Sequence, residues 1–491
     1  MPLMIEILSP VHCGTGNDYT LVDAVLTEKG LGLIDEEMLL TSLEQSGEWQ
    51  NFSDVVSQEG LSGILATRKF LYEFGKKHSE IFYQFVPVSQ ELANIYVRNI
   101  GRLAQNQSRA INDLSIMRTS INPLFGEAIL PGSGIKGSFK TCFLEVAARK
   151  RNLRDIRERD NNIAATAFGI SSKMSESVWE DPFHSMKFSD FELLETTDSK
   201  CERECLIAKN IKRFRENIDT GSGAIPQRME VIKPGSRFIG QLAVNIKSLQ
   251  DYKPWQQSGI PFEKMDFSLL NAICSSHYIP ALEFEKVKFG AIVKAPDREG
   301  FFIKLGQHSG AVAMTLAGYR KIWNVQHKKI MDAQSKTWDA ADQPMGWCYV
   351  SPLRPEQYEE FRRKIELRHS DFLQNSAKIK AENKAVMQEA REKQLLLQEQ
   401  AEKMKQAAAE EQNRRDSMCQ EEKELEAFLK GADDSKSYNL CHALKNEISP
   451  ELKKRIAEAL RDFWKKTERW KKTKGSQKER VNLVKSFLPQ E

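Results

Sequence analysis

The stretch Glu127–Lys150, EAILPGSGIKGSFKTCFLEVAARK, holds the residues best suited to chemistry. Gly132, Gly134 and Gly137 stand close together, with Ser133 and Lys136 between them and Lys140 one turn further on. Glycine adopts φ > 0 without a Cβ clash, so such a loop lets backbone N–H groups converge on an anion. A helix starting there adds exposed donors and a partial positive charge, and Lys136 adds a full one. The pattern is that of a phosphate cradle. A tight turn without a ligand is the plainer alternative.

Two nucleotide readings fail on the surrounding residues. Gly132-x-Gly134-x-x-Gly137 spells the dinucleotide fingerprint, but the apolar run before it (Ala128–Leu130) is short and stops at Pro131. The acid wanted about 20 residues on, at a strand end, falls around Asp155 in the charged, helix-like run RNLRDIRERD. A triphosphatase loop would need Lys-Ser or Lys-Thr after its last glycine, and Gly137 is followed by neither.

Further candidates lie elsewhere. His12 sits in VHCGTG with Gly14 and Gly16. It could serve as a general base in ribonuclease-type cleavage, with Lys136 as electrophile. With no second histidine or carboxylate at fixed spacing, a loop-fixing backbone hydrogen bond is favoured. Asp23 and Asp35 are acids of the kind used in metal-assisted hydrolysis, yet one reads as strand and the other as a helix cap. A second glycine element, FFIKLGQHSGAVAMT, carries Gly306, His308 and Gly310, with His308 read as a contact to a phosphate or base. Lys209, Lys212, Arg213 and Arg215 are expected to be half solvated, half RNA-facing. Arg228 and Lys233 flank Glu230 and could reach a backbone phosphate. Cys201 and Cys205 lack the second ligand pair a zinc site needs, so neither a metal nor a cofactor is expected.

The elements that must position these residues follow from periodicity. Strands are expected at residues 4–8, 21–26, 31–34, 81–88, from His184 to Leu193, on both sides of Pro234-Gly235 and at Phe301–Leu305. Asp35 should cap a helix over Glu36–Leu43, and residues Ile64–Phe74 read as another. Each glycine element repeats one grammar of strand, glycines and helix. GWCYVSP (346–352) closes the globular part.

Between Pro355 and Gly431 there is no proline or glycine, which predicts a long helix or helical hairpin. Ala390, Leu397, Met404, Met418 and Leu425 share a heptad position whose companion is mostly polar, so a docked or solvent-bridging helix is favoured over a self-sufficient coiled coil. Ser449-Pro450 begins a small helical module. It ends in DFWKKTERWKKTK, where Phe463, Trp464 and Trp470 among lysines suit either stacking on nucleic acid or an amphipathic helix with a buried aromatic face.

At 491 residues, two to four domains are expected. The chain is 40% hydrophobic and 29% charged, and its net charge of +4 is too small to diagnose nucleic acid without local clustering. No apolar run reaches the length of a membrane span, and Glu6 interrupts the N-terminal apolar stretch, so neither a membrane nor a signal peptide is expected. A cytoplasmic setting would keep the eight cysteines reduced.

Six signatures occur in one order: LSPVHCGTG, LPGSGIKGSFKT, AFG with KFSDFEL, IPQRMEVIKPGSRFIGQL, KLGQHSGAVAMT and PMGWCYV. Together they resemble the RAMP proteins of type III CRISPR effector complexes, nearest to the fifth-subunit family of the type III-A (Csm) complex, over residues 1–352. The resemblance implies an α+β fold of two ferredoxin-like, RNA-recognition-type modules (1–195 and 196–352). A long charged helix or hairpin (353–432) and a small basic helical module (433–491) follow, outside the family pattern. It further implies a non-catalytic scaffold that holds the 3′ part of the guide RNA, meets target RNA indirectly, contacts other RAMP subunits and supports 3′-end maturation through host nucleases. Gly132, Ser133, Gly134, Lys136 and Gly137 match the family's guide- or neighbour-contacting loop, and Gly306 and Gly310 its C-terminal glycine loop.

Overall fold

The computed structural model describes residues 1–20, 22–100, 115–153, 163–195, 203–214, 217–218, 227–290, 293–317, 321–324, 328–332, 337–341, 343–471 and 475–489. Asp155, Cys201, Arg215 and the glycines at 221 and 223 lie outside them, as do the side chains of Lys212 and Arg213.

The strands are β1 (Pro2–Ile7), β2 (Gly14–Asp18), β3 (Ala24–Thr27), β4 (Gly30–Ile34), β5 (Phe82–Val86), β6 (Ile116–Thr119), β7 (Ile129–Leu130), β8 (Met186–Phe188), β9 (Phe191–Leu193) and β10 (Cys205–Phe214). They continue with β11 (Asn217–Ile218), β12 (Arg228–Ile232), β13 (Arg237–Val244), β14 (Phe301–Lys304), β15 (Lys321–Asn324), β16 (Lys329–Asp332), β17 (Thr337–Ala340), β18 (Gln343–Pro344) and β19 (Trp347–Pro352). One seven-stranded sheet runs β14-β19-β1-β13-β9-β7, with β8 also on β13. A second runs β18-β17-β10-β12-β6-β2, with β11 on β10. Smaller sheets join β3-β4-β5 and β15-β16. Both large sheets take strands from either side of residue 195. The architecture is mixed α/β, followed by a helical C-terminal region.

β1 shows how the chain dictates this arrangement. Its period of two sends Leu3, Ile5 and Ile7 to one face and Met4 to the other. It lies between β13 and β19, with Leu3 opposite Gly240 and Ile5 opposite Val350. The Leu3 side joins the main core, where helix Gly132–Lys150 packs Phe139 edge-on to Phe301 of β14 at 5.8 Å. Helix Phe267–Phe289, capped by Asp266 and ended by Gly290 in the left-handed region, lies in the same layer. On the other side Met4 and Ile239 pack against Tyr358 and Ile365 of the long helix Pro355–Ser417.

The chain divides into two compact units, residues 1–387 and 388–491. The first turns of the long helix thus belong to the body, beyond the 352/353 boundary drawn from the resemblance. Arg368 grips the Glu127 carboxylate with two nitrogens at 2.8 and 2.9 Å, and His369 stacks on Phe125 with ring centroids 3.6 Å apart. In the second unit Leu397 and Met404 stay 58% and 73% exposed, in keeping with a weak heptad seam. Beyond the break at Ser417, helices Gln420–Lys430, Asp434–Ala443, Pro450–Lys466 and Ser476–Lys485 surround Leu425, Phe428, Leu440, Ile456, Leu460, Trp464 and Val484. Ser449 caps the third of them by accepting from Leu452 N–H at 3.2 Å. Trp464 is wholly buried and Phe463 packs edge-on to Phe428, so these two rings serve the module's core and are not stacking platforms.

Candidate nucleic-acid interface

The glycine stretch is helix from its first glycine. Helix Gly132–Lys150 starts directly after Pro131, which sits extended at the cap. None of Gly132, Gly134 and Gly137 has a positive φ. This corrects the expected cradle of turning glycines. Ile135, Phe139, Cys142 and Phe143 bury one face so completely that packing outweighs the poor helix propensity of glycine. Three of the first four N–H groups are also occupied. Gly132 N–H donates to Asp190 Oδ1 at 2.8 Å, while those of Gly134 and Ile135 donate to the Pro131 carbonyl.

The three glycines have different reasons to be glycine. A Cβ on Gly132 would lie 2.5 Å from the carbonyl oxygens of Phe188 and Ser189, so only glycine admits that close approach. A Cβ on Gly134 or Gly137 would meet nothing within 4 Å. With exposed Ser133 they form a bare strip on the outer face of the helix. Lysines flank it. Lys140 pairs with Asp181, and Lys187 on β8 is exposed. Burial and then the Lys187 and Lys140 charges depress the Lys136 pKa, with Asp181 opposing. Beside the strip Lys136 thus feels the charges of Lys187 and Lys140, partly offset by Asp181.

The other two glycine elements meet each other. Gln307 N–H donates to the His12 carbonyl at 2.9 Å, and Gly346 N–H to the Pro10 carbonyl at 2.9 Å. Gly306 (φ +81°) turns so tightly that a Cβ would stand 2.5 Å from the His12 carbonyl oxygen. His308 (φ +65°) and Gly310 (φ +84°) share that left-handed sign. Here the turning glycines expected from sequence are present. The helix that leaves this loop is four residues long, Ala311–Met314, so the two glycine elements are not equivalent. Gly14, Thr15 and Gly16 lie exposed on edge strand β2 above His12.

His12 is fully buried, and its Nδ1 donates to the Glu230 carbonyl at 2.7 Å. Burial pushes its pKa down against the pull of Glu230, which favours the neutral ring. Its Nε2 has no hydrogen-bond partner among the described residues and sits beneath Gly14. Burial and the neighbouring His12 lower the pKa of His308 as well. His12 thus does the loop-fixing work expected of it. The groups felt by Lys136 are Lys187, Asp181 and Lys140, not His12.

Arg228 is 4% exposed within β12 and is not presented to a ligand at the surface. Lys233 and Lys209 are half-buried. Glu230 accepts from Tyr19 Oη at 3.0 Å, Thr119 N–H at 3.1 Å and Arg203 Nη1 at 3.3 Å, a buried network behind His12. Asp23 accepts from Thr20 N–H and Asp35 caps its helix through Met38 N–H, so both are structural. Sequence reasoning missed Lys187, Asp190 and Gln307. Long-range packing brings Asp190 and Lys187 to the glycine helix and Gln307 to His12 and Gly14, and no local spacing signals it.

Fold and site define a mixed α/β protein whose side-chain-poor surfaces lie against lysines or turn tightly at a sheet edge. The RAMP superfamily model matches residues 4–264, and the chain belongs to that superfamily. Eighteen chains of solved structures match it. One, from the cryo-EM structure of a Csm-crRNA-target RNA ternary complex of a type III-A CRISPR-Cas system, is 17% identical with a TM-score of 0.49, over 72% of this chain and all of that one. Another, the crystal structure of T. onnurineus Csm5, is 17% identical with a TM-score of 0.47, over 70% of this chain and 99% of that one. No curated protein matches at the same stringency. No described helix is long and apolar enough to cross a membrane.

Proposed function

We propose that this chain is a non-catalytic, RNA-binding structural subunit of a type III-A CRISPR ribonucleoprotein acting in antiviral defence in the cytoplasm. In this reading it holds the 3′ part of the guide RNA, caps the filament of RAMP subunits, meets target RNA through the guide, and supports 3′-end maturation by host nucleases. Membership of the RAMP superfamily and the six ordered signatures support it. The reading keeps an RNA-recognition-type fold, but both seven-stranded sheets draw strands from either side of the 195/196 boundary expected between two consecutive modules.

The observation that carries the reading is the exposed strip Ser133–Gly134–Gly137, on which the Ser133 hydroxymethyl is the one side chain, bordered by Lys136, Lys140 and Lys187. A sugar-phosphate backbone can lie directly against such a helix face while the lysines neutralise it. Contacts of that kind fix position without reading sequence and weaken steeply with salt. The exposed edge at Gly14–Gly16, beside the Gly306–Gly310 turn, offers a second surface for the guide or a neighbouring subunit. An endoribonuclease working through His12 and Lys136 is the poorer reading, because the His12 ring is buried and held by a backbone bond.

The test uses the assembled complex carrying Gly134→Leu with Lys136→Ala. The guide 3′ end should lose its protection against added nuclease. Full protection in that double variant means the strip is not the guide contact.

A further inference from the structure

The last 59 residues differ in charge from everything before them. Residues 433–491 hold fifteen Lys and Arg against nine Asp and Glu, a net of +6, whereas residues 1–432, with 57 against 59, carry −2. Within this segment several acids are already matched. Asp433 pairs with Lys436, Asp434 with Arg469 and Asp462 with Arg461. Lys453, Lys454, Lys465, Lys466, Lys471 and Lys485 have no carboxylate within ion-pair distance among the described residues.

Two of these lysines lie over aromatic rings around the last turn of helix Ser476–Lys485. Lys453 Nζ stands 5.4 Å from the centroid of Phe487, and Lys485 Nζ 5.6 Å from that of Trp470. Both rings are half-buried. Beside the Phe487 ring opens a shallow cleft of about 550 Å³, lined by Ile448, Pro450, Lys453, Lys454, Phe487 and Leu488. That volume suits a small ligand group such as a single nucleotide and is far too small for a partner helix.

We propose that this face of the C-terminal module is a second nucleic-acid site, binding single-stranded RNA independently of the glycine strip. Unpaired lysines would take phosphates, and the cleft with its Phe487 wall would take an unstacked base, the pairing of cations and rings that sequence-tolerant single-strand binders use. A protein partner fits less well. Among the described residues of the module only Leu429 and Tyr438 are exposed large apolar side chains, so apolar surface for a partner to cover is confined to the small cleft. The uncompensated feature is charge, and a polyanion matches it.

Full-length protein is titrated with fluorescein-labelled oligouridylate, following anisotropy from low to moderate salt, for wild type and for Lys453→Glu/Lys454→Glu/Lys485→Glu. Removing three phosphate contacts should lower affinity more than tenfold and flatten the log–log salt slope by about 2, at roughly 0.7 per single-strand contact. Photo-crosslinking of unmutated protein to 4-thiouridine RNA gives a readout free of folding effects, with adducts expected between residues 448 and 489. Unchanged affinity in the triple variant, or crosslinks confined to residues 1–387, overturns the proposal. So does displacement of the RNA by polyglutamate at equal charge concentration, which would mark the face as an acidic-protein site.

Discussion

His277 Nδ1 lies 2.6 Å from Glu145 Oε2, both side chains buried, and the same imidazole places Nε2 at 3.0 Å from the Ala313 carbonyl. Glu145 also accepts from Ala317 N–H at 2.8 Å. One ion pair therefore ties together the helix that bears the glycine strip, the Phe267–Phe289 helix and the segment leaving the Gly306–Gly310 turn.

Burial is the largest single influence and opposes the charge on both partners. Their mutual bond, together with Ala317 N–H and Arg149 on Glu145 and with Cys142 and the Ala313 carbonyl at His277, outweighs it, so the His277 pKa is raised and the Glu145 pKa lowered. The signs set a window. Glu145 contributes fully above its ordinary value of 4.5, and its contribution is lost as pH falls through the depressed folded value. His277 contributes fully below its ordinary 6.5, and its contribution is lost as pH rises through the elevated folded value. His277→Ala should destabilise the body by about 1–3 kcal/mol, because it removes one partner of a buried carboxylate that keeps Arg149 and the Ala317 N–H. It should also remove the alkaline arm of the stability profile. A denaturant series across pH checks both, and a variant keeping the wild-type alkaline decline would show that another group titrates there.

Gly137→Ala separates stability from function. Its Cβ would enter open space, and alanine is favoured over glycine inside a helix by about 0.8–1 kcal/mol. The variant should melt at a higher temperature than wild type. A longer side chain at the same place, Gly137→Gln, should keep most of that gain and still weaken guide retention, since it covers the bare strip. If Gly137→Gln retains guide as well as wild type, the strip carries no RNA.

The opposite is expected at Gly306. Its φ of +81° and the 2.5 Å approach to the His12 carbonyl oxygen leave no room for a Cβ. Gly306→Ala should cost about 1–3 kcal/mol in backbone strain alone and push apart the His12 and Gln307 loops. Amide hydrogen exchange at Gln307, whose N–H donates to the His12 carbonyl, should accelerate. Protection unchanged in the variant would mean the turn tolerates a side chain.

What could be read from sequence was whatever local physics decides. The period of two in Leu3, Ile5 and Ile7, the hairpin at Gly30, the Asp35 cap and the Ser449-Pro450 helix start all stand as expected. Non-local packing decided the rest. The glycine spacing allows a loop or a helix, and the apolar face led by Ile135 and Phe139 selects helix. Arg228 reads as a phosphate ligand in sequence, but its strand lies between β10 and β6 and buries it. The meeting of His12 with Gln307 joins residues far apart in the chain, and no spacing rule reports it.

The long helix yields the last expectation. Its first turns are part of the body. Tyr358 and Ile365 cover Met4 and Ile239, and Arg368 holds Glu127 and the Leu193 and Leu194 carbonyls. Cutting the chain after residue 352 strips an apolar face from the β1–β13 pair and leaves the Glu127 carboxylate without Arg368 and His369. Cutting after residue 387 leaves all of these contacts in place. The shorter chain should be destabilised by several kcal/mol, as expected for losing buried apolar side chains together with the partner of a mostly buried carboxylate, and should aggregate on expression. The longer one should unfold cooperatively at nearly the wild-type midpoint for the body. Paired thermal melts and size-exclusion profiles of the two truncations decide it, and equal behaviour would mean that the helix only rests on the sheet.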